Sequence, residues 1–551
     1  MSDSKDEFLW WKHGVIYQIY PRSFSDGNAN GVGDLEGIRR KLGYLRELGV
    51  DGLWLSPIFP SPMKDFSYDV MYYCAIDPLF GNMDTFDRLL REAHALGIRI
   101  ILDLVMNHSS DRHPWFREAL SGRTNAKREW YIWHPGRSRF GRRRPPNNWM
   151  AAFGGRAWEW DEKSREYYLH LFLKEQPDLN WRNHEVERAM FDQARFWLEK
   201  GVDGFRLDVI NYIVKDRELK SNPYRLHPAP PRRHDQQHHR HDRNQPETHD
   251  ILKRFRSLLD EYPERMLVGE IYPDEGVLEP ETSASYQGGG DDELHLAFDF
   301  SPMFAQFSAR KFRRLLERWY HAAGEHRWPS HVLSNHDQSR AMSRLAGGSV
   351  EKARLLAAML LTQRGTPFLY YGEEIGMTDG LIRRRDIRDP LGQRYWPFHR
   401  GRDRSRTPMQ WQPGPGLGFT DACHPWLPYS TEDPGTTVAA QKNEAGSLFN
   451  WYRQLIELRK REPCLHRGNI VFVDSHRDVL AYIREYRGRQ IAIALNFSHR
   501  SRPLPEAWHD LPSLIDPPTH SGAGAPGEAR QAGSNLGSYE AAFLEIAGVI
   551  Q

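Results

Sequence analysis

Arg206 and Asp208 stand two residues apart in Gly204-Phe205-Arg206-Leu207-Asp208-Val209. Side chains alternate along a strand, so the two share one face while Phe205 and Leu207 take the other, where covering helices can bury them. A cation beside a carboxylate favours the ionised form. The spacing therefore predicts an anionic oxygen at neutral pH, suited to attack an electron-poor carbon. Alone, such a pair reads more simply as a buried lock for packing. Three further stretches shift that reading. Asp103 ends an apolar run and is followed by Asn107-His108, Glu270 closes Met266-Leu267-Val268-Gly269, and Leu333-Ser334 leads into Asn335-His336-Asp337. Carboxylates beside His or Arg at several such ends predict one convergent site. An oxocarbenium-like transition state needs one carboxylate facing the developing positive charge and one carboxylic acid to protonate the departing oxygen. Glycoside cleavage is the chemistry implied. Asp208 takes the ionised role and Glu270, in apolar surroundings that raise a carboxyl pKa, the acid/base role.

The elements that must carry these residues follow from the apolar pattern. Segments 15–20, 52–57, 98–105, 204–208, 266–270, 296–300, 332–334 and 367–371 predict strands, and 38–48 and 186–199 predict helices between them. Strands apolar on both faces and alternating with helices indicate a parallel α/β sheet. Eight such units predict a (β/α)8 TIM barrel, whose reactive groups collect at the C-terminal ends of the strands. A doubly wound sheet would need a Gly-rich phosphate-cradling turn after a strand, and none is found. The rhythm breaks over 108–181, rich in Arg, Trp, Gly and Pro, which predicts a small domain inserted after the third strand. The barrel then comprises 1–107 and 182–468. From 469 to 551 alternating β patterns predict an antiparallel, β-sandwich-like C-terminal domain, with a hairpin turn at Arg487-Gly488-Arg489.

Two polar tracts invite a metal. In 226–249 the residues Arg232, His234, His238, His239 and His241 cluster without fixed ligand spacing, which favours a mobile surface loop over a metal site. Near the N-terminus, Asp26, Asn28, Asn30, Val32 and Asp34 offer side-chain or carbonyl oxygens at alternate positions, with glycines for the turn, as a Ca²⁺ loop does. A polar turn without metal is the alternative.

Composition sets the outer limits. A chain of 551 residues exceeds a single core. A net charge of +2 gives no electrostatic reason to expect nucleic acid or an anionic membrane as partner. No apolar run is long enough to span a bilayer, and the N-terminus has no basic region before an apolar core. Three scattered cysteines (Cys74, Cys423, Cys464) predict neither a disulfide framework nor a thiolate cluster. A cytoplasmic location is expected.

Asp103-Leu104-Val105-Met106-Asn107-His108, Gly204 to Asp208, Val268-Gly269-Glu270 and Ser334-Asn335-His336-Asp337 resemble the four signature regions of the α-amylase superfamily of glycoside hydrolases. Gln18-Ile19-Tyr20-Pro21-Arg22-Ser23-Phe24, Phe153-Gly154-Gly155, Gln176-Pro177-Asp178-Leu179-Asn180-Trp181 and Arg406-Thr407-Pro408-Met409-Gln410-Trp411 resemble its α-glucosidase and oligo-1,6-glucosidase branch. The resemblance implies a retaining mechanism with Asp208 as nucleophile, Glu270 as acid/base and Asp337 as the third carboxylate. It implies that Arg206, His108 and His336 line the glucose subsite. Tyr68, Asp69 and Arg406 would hold the non-reducing end and close the pocket, and Phe153 and Phe172 would line it. Exo-action on short α-glucosides follows, with alcohol or sugar acceptors able to intercept the intermediate. Val209, after the nucleophile, accompanies α-1,6 cleavage in that branch. The resemblance also implies no catalytic cofactor, a structural Ca²⁺ or Mg²⁺ in the N-terminal loop (Asn30 standing where aspartate is usual), and a monomer or homodimer. Other outcomes within the superfamily are a trehalose-6-phosphate hydrolase, for which Arg383–Arg388 could serve a phosphate, and a sucrose-acting or isomerising enzyme. A non-catalytic amylase-like transporter subunit would lack the three carboxylates that this chain keeps.

Overall fold

In the computed structural model eight parallel strands close on themselves, as the alternation of runs predicts. They are β1 (Ile16–Ile19), β2 (Gly52–Leu55), β3 (Arg99–Val105), β4 (Gly204–Asp208), β5 (Met266–Gly269), β6 (Leu296–Asp299), β7 (Ser330–Val332) and β8 (Thr366–Tyr370), with β1 paired to both β2 and β8. The structure describes residues 8–225, 232–272, 279–431, 433–515 and 531–546. Ile16, Trp54, Ile101, Met266, Val268, Leu296, Phe298 and Phe368 fill the lumen. The outward residues Leu102, Leu104, Phe205 and Leu207 pack under the helices, Phe205 against Phe255 at 6.4 Å. The inward rows continue upward as Asp103, Arg206 and Asp208: Arg206 pairs in register with Asp103 on one side and Val268 on the other, and Asp208 with Val105. Apolar side chains drive closure from below, and the polar ones lie above that plug.

Two boundaries differ from expectation. β7 ends at Val332, so Ser334 to Asp337 is loop, and Glu270 stands one residue beyond β5. The helix expected over 38–48 is two helices, Leu35–Arg40 and Leu42–Leu48, interrupted at Lys41 (φ −102°, ψ 5°). Apolar spacing continues across the break, so periodicity does not register one residue's backbone turn.

Between β3 and β4 lie the helix Pro114–Ser121, a three-stranded antiparallel sheet (Trp133–His134, Glu166–Leu169, Trp158–Asp161) and a separate hairpin pairing Arg137–Arg139 with Arg142–Arg144. This region is fastened to the barrel at its end. Leu179 N donates to Asn107 O (2.9 Å), Trp181 Nε1 to Met106 O (2.8 Å), and Lys215 Nζ sits 2.7 Å from Asp178 Oδ2 in a fully buried ion pair.

The C-terminal sheet is antiparallel, in the order β9 (Asn469–Phe472), β10 (Val479–Tyr486), β11 (Arg489–Asn496), β12 (Ala541–Ile546). Arg487 and Gly488 make the expected hairpin turn, both at positive φ (51° and 80°) as a two-residue loop with primed geometry requires. Leu504, Trp508 and Leu536 cover one face of the sheet. Two buried arginines join the other to the barrel. Arg459 donates to the carbonyls of Leu361, Gln363, Leu465 and Gly365. Arg484 donates to those of Thr362, Leu465, Gly468 and Asn469. Among the described residues, no helix is long and apolar enough to cross a membrane.

Candidate active site

Four strand ends deliver side chains to one place above the lumen. Arg206 is 1 % exposed and its guanidinium holds three carboxylates at once: Nη1 meets Asp103 Oδ1 at 2.8 Å and Asp208 Oδ1 at 2.7 Å, and Nη2 meets Glu270 Oε2 at 2.5 Å. Trp54 Nε1 and Tyr68 Oη donate to Asp103 Oδ2 (3.2 and 3.0 Å). Glu270 also accepts from Val209 N and from Tyr272 Oη, each at 3.2 Å. Asp337 comes from the loop after β7, where Asn335 Oδ1 accepts its backbone N–H. Arg406 Nη2 and Arg402 Nη1 both grip Asp337 Oδ1, at 2.8 and 3.2 Å.

Aromatic and imidazole groups build the walls. Gln18 Nε2 donates to His336 Nδ1 (2.8 Å), which leaves Nε2–H of His336 to Tyr68 Oη (2.7 Å). Tyr68 and Tyr20 flank the imidazole, with Tyr68 nearly parallel to it at 5.5 Å. His108 lies 5.1 Å from Phe172, Phe172 meets Phe153 edge-on at 6.3 Å, and Arg402 lies over Phe153 at 4.9 Å.

One guanidinium does not neutralise three buried carboxylates, and the protonation pattern shows it. Burial first, then Glu270 and Asp103, push Asp208 well above the usual carboxylate range despite Arg206. Burial, with Asp337 and Asp103, likewise raises Glu270. The expectation that Arg206 lowers Asp208 is therefore corrected: a single cation is outweighed by desolvation and two like charges. Both carboxyls are shifted in the same direction, toward the protonated form, and the pair titrates as a unit. One proton between two carboxyls is the starting state of a mechanism with one nucleophile and one acid. Asp337 differs. Burial pushes it up, but His336, Arg402 and Arg406 together hold it below the usual range, so it stays anionic. Burial keeps His108 and His336 neutral, each lowered to about 3.

Val209 follows Asp208 at φ +37°, a left-handed conformation that a β-branched residue rarely adopts. It turns the chain sharply off β4, so that its N–H reaches Glu270 and its side chain packs with Leu171, Phe172, Tyr212 and Tyr272.

The structure gathers Asp208, Glu270, Asp337, Tyr68, His108, Phe153, Phe172, Arg206, His336 and Arg406. Asp69 is placed differently. Its carboxylate accepts from Ser61 Oγ, Lys64 N and Asp65 N (2.8–3.0 Å), so it shapes the 61–69 loop from behind. Asp65 instead reaches the network, bonding Arg402 Nη2 at 2.6 Å and Gln176 Nε2 at 3.2 Å. The sequence patterns do not single out Asp65, Gln176 or Arg402 as site residues. Gln176 begins the Gln-Pro-Asp-Leu-Asn-Trp run, which was a signal for it. An Asp65–Arg402 pair 337 residues apart leaves none in a single sequence.

The N-terminal loop has an all-oxygen donor set. Asp26 accepts from Asn28 N and Gly31 N, Asn28 Oδ1 from Asn30 N, Asn30 Oδ1 from Val32 N, and Asp34 from Gly27 N and Gly37 N. Each of these oxygens keeps a second lone pair, and oxygen ligands suit Ca²⁺ or Mg²⁺. The donor chemistry fits such an ion, with asparagines supplying part of it. Of the His-rich tract, 226–231 lies outside the described residues. The rest is not the bare surface loop expected. His239 and Asp242 are buried and bonded at 2.8 Å, and Asn222 Nδ2 donates to the same carboxylate oxygen (2.9 Å). Among the described residues, no group of three His, Cys, Asp or Glu could hold a metal.

Residues 18–468 match the family model "Alpha amylase, catalytic domain". The chain is 42 % identical over 503 residues to a probable alpha-glucosidase of Rhizobium meliloti, covering 89 % of each chain. It is 38 % identical to an oligo-1,6-glucosidase of Parageobacillus thermoglucosidasius, covering 90 % of this chain and 92 % of the relative. Among solved structures, the alpha-glucosyl transfer enzyme XgtA superposes with a TM-score of 0.90 at 39 % identity, covering 98 % of this chain and 100 % of that one. The trehalulose synthase MutB of Pseudomonas mesoacidophila superposes with a TM-score of 0.85 at 30 % identity, covering 97 % and 99 %. Barrel, carboxylate cluster and relatives agree: the chain belongs to the α-amylase family, is similar throughout to its α-glucosidases and oligo-1,6-glucosidases, and is a glycoside hydrolase.

Proposed function

We propose that the protein is a retaining exo-α-glucosidase, cytoplasmic and monomeric or dimeric, that releases α-D-glucose from the non-reducing end of short α-glucosides. The grip of one guanidinium on both Asp208 and Glu270 carries this reading, because it favours the short carboxyl separation, about 5 Å, that a covalent glycosyl intermediate needs. Asp208 attacks the anomeric carbon while Glu270 gives its proton to the departing oxygen. The glycosyl ester then forms, and the leaving hydroxyl is complete. Glu270, now a carboxylate, takes a proton from the incoming water, whose oxygen displaces Asp208. An alcohol or sugar hydroxyl can enter the same way, giving a new α-glucoside. Asp337 accepts hydrogen bonds from glucose hydroxyls and faces the oxocarbenium charge. Exo-action is supported by the wall that Asp65, Arg402, Arg406 and Tyr20 make beyond Asp337. Val209, packed on Tyr272 and Phe172, supports α-1,6 linkages as favoured substrates. A Ca²⁺ or Mg²⁺ on Asp26, Asn28, Asn30, Val32 and Asp34 would brace the turn before helix Leu35–Arg40, away from the chemistry.

The overlap with a trehalulose synthase supports a second reading, in which sucrose is isomerised in the same pocket. Time-resolved NMR of products from isomaltose, maltose, sucrose and trehalose 6-phosphate tests both. The expected result is α-glucose as first product, with isomaltose the better disaccharide. β-Glucose would refute retention, and a rearranged disaccharide from sucrose would replace hydrolysis with isomerisation.

A further inference from the structure

The hairpin of the inserted region is built against its own stability. Its two strands pair Arg137 with Arg144, Ser138 with Arg143 and Arg139 with Arg142, which sets arginines directly opposite one another at two of three positions. Like charges opposed across an antiparallel pair destabilise it. Arg142, Arg143 and Arg144 are all exposed, and a lone two-stranded hairpin is marginal in water. Among the described residues, Arg137, Arg142 and Arg144 form no ion pair, while Arg143 lies over the Trp160 ring at 3.6 Å and 4.0 Å from Glu162. At the tip, Phe140 and Gly141 occupy the two central turn positions with φ of +52° and +69°. Such a turn prefers Asn or Gly first, and a bulky aromatic there is strained. Phe140 is also 90 % exposed. Opposed charge, strained backbone and an exposed aromatic converge on eight residues of an otherwise well-buried fold.

We propose that this hairpin docks the protein on an anionic phospholipid surface, with Phe140 entering the headgroup boundary and the arginines seated on lipid phosphates. Two of these features are relieved there. Phosphates screen the like charges of Arg137 and Arg144, and the ring leaves water. A nucleic acid would also take the charge. Single strands, however, are held by successive aromatics along a groove, and the hairpin offers one ring at the end of a narrow wedge. The chain's net charge of +2 conceals this local concentration.

Co-sedimentation of the full-length protein with vesicles of phosphatidylcholine alone, or mixed with phosphatidylglycerol, tests the assignment. Binding to the mixed vesicles only, lost in high salt, is expected. R137S/R142S/R144S should weaken it about a hundredfold, at about fivefold per arginine. F140G should weaken it about tenfold yet leave the melting temperature unchanged or higher, because glycine adopts positive φ freely. Both variants should hydrolyse a soluble glucoside at the parent rate. No binding, equal binding to both vesicle types, or binding unmoved by either variant would overturn the proposal. Binding to a DNA or RNA duplex in place of vesicles would assign the hairpin to nucleic acid instead. A fall in melting temperature for F140G would make Phe140 a structural residue.

Discussion

Replacing Lys215 with methionine isolates the bond between the barrel and the inserted region. Lys215 and Asp178 are 1 % and 0 % exposed, with Nζ 2.7 Å from Asp178 Oδ2 and 2.8 Å from Asn107 Oδ1. Methionine fills nearly the same volume, so the main loss is the charge partner. Removing one member of a fully buried pair costs about 3–5 kcal/mol, because the other charge is left without compensation. Unfolding entropy of about 2.1 cal/mol/K per residue, over the 18–468 segment, amounts to roughly 0.9 kcal/mol/K. The melting temperature should therefore fall by about 3–5 °C. Adding Asp178→Asn removes the orphaned charge and should recover most of the loss. Kinetics should respond too. Asp178 Oδ1 accepts from Leu171 N (2.9 Å), next to Phe172 and five residues before Gln176, so KM should rise more than kcat falls. Calorimetry on the four proteins of the double-mutant cycle, with steady-state kinetics, checks both. A Lys215→Met protein melting within about 1 °C of the parent, or a double variant no more stable than the single, would refute the reasoning.

Asp208→Asn should abolish turnover and raise the melting temperature at pH 7. Burial with Glu270 and Asp103 raises this carboxyl, so its penalty begins above the unfolded pKa of about 4 and is absent below it. An equal gain at pH 3 would contradict that. Neutral His108 and His336, lowered to about 3, bind fewer protons folded than unfolded. Stability should then fall as pH drops below about 6.5, by about 1.4 kcal/mol per unit for each, and His336→Gln should flatten the slope. A melting temperature constant from pH 7 to 5 would count against this. Chelator should lower the melting temperature of the parent, and Asn30→Asp should enlarge the stabilisation by Ca²⁺ through an added carboxylate. Indifference of both proteins to chelator would leave the loop a turn.

Much of the barrel was legible because its strands are continuous apolar runs ending in charge. Glu270 shows this: four apolar residues and then a carboxyl place it at the rim without any contact information. What periodicity could not supply was bookkeeping among charges. Spacing pairs Arg206 with Asp208 alone, since Asp103 and Glu270 reach it only through barrel closure. Asp65 and Arg402 leave no pattern for the same reason, and the sequence points to Asp69, four residues along, in Asp65's place. Net charge likewise averaged away the arginines at 137–144.

Arg459 and Arg484 bear on how the molecule comes into being. Their guanidiniums occupy carbonyls at the end of the helix Val350–Thr362 before β8, and Phe543 of β12 packs 5.9 Å from Trp451 on the helix Leu448–Arg461, the last long helix of the barrel. A nascent chain leaving the ribosome has all eight barrel strands long before it has β12. Until that last strand emerges, part of the final helix of the barrel has no cover. The cover of this helix is completed by residues made after every barrel strand, and in that interval its apolar surface is open to a chaperone.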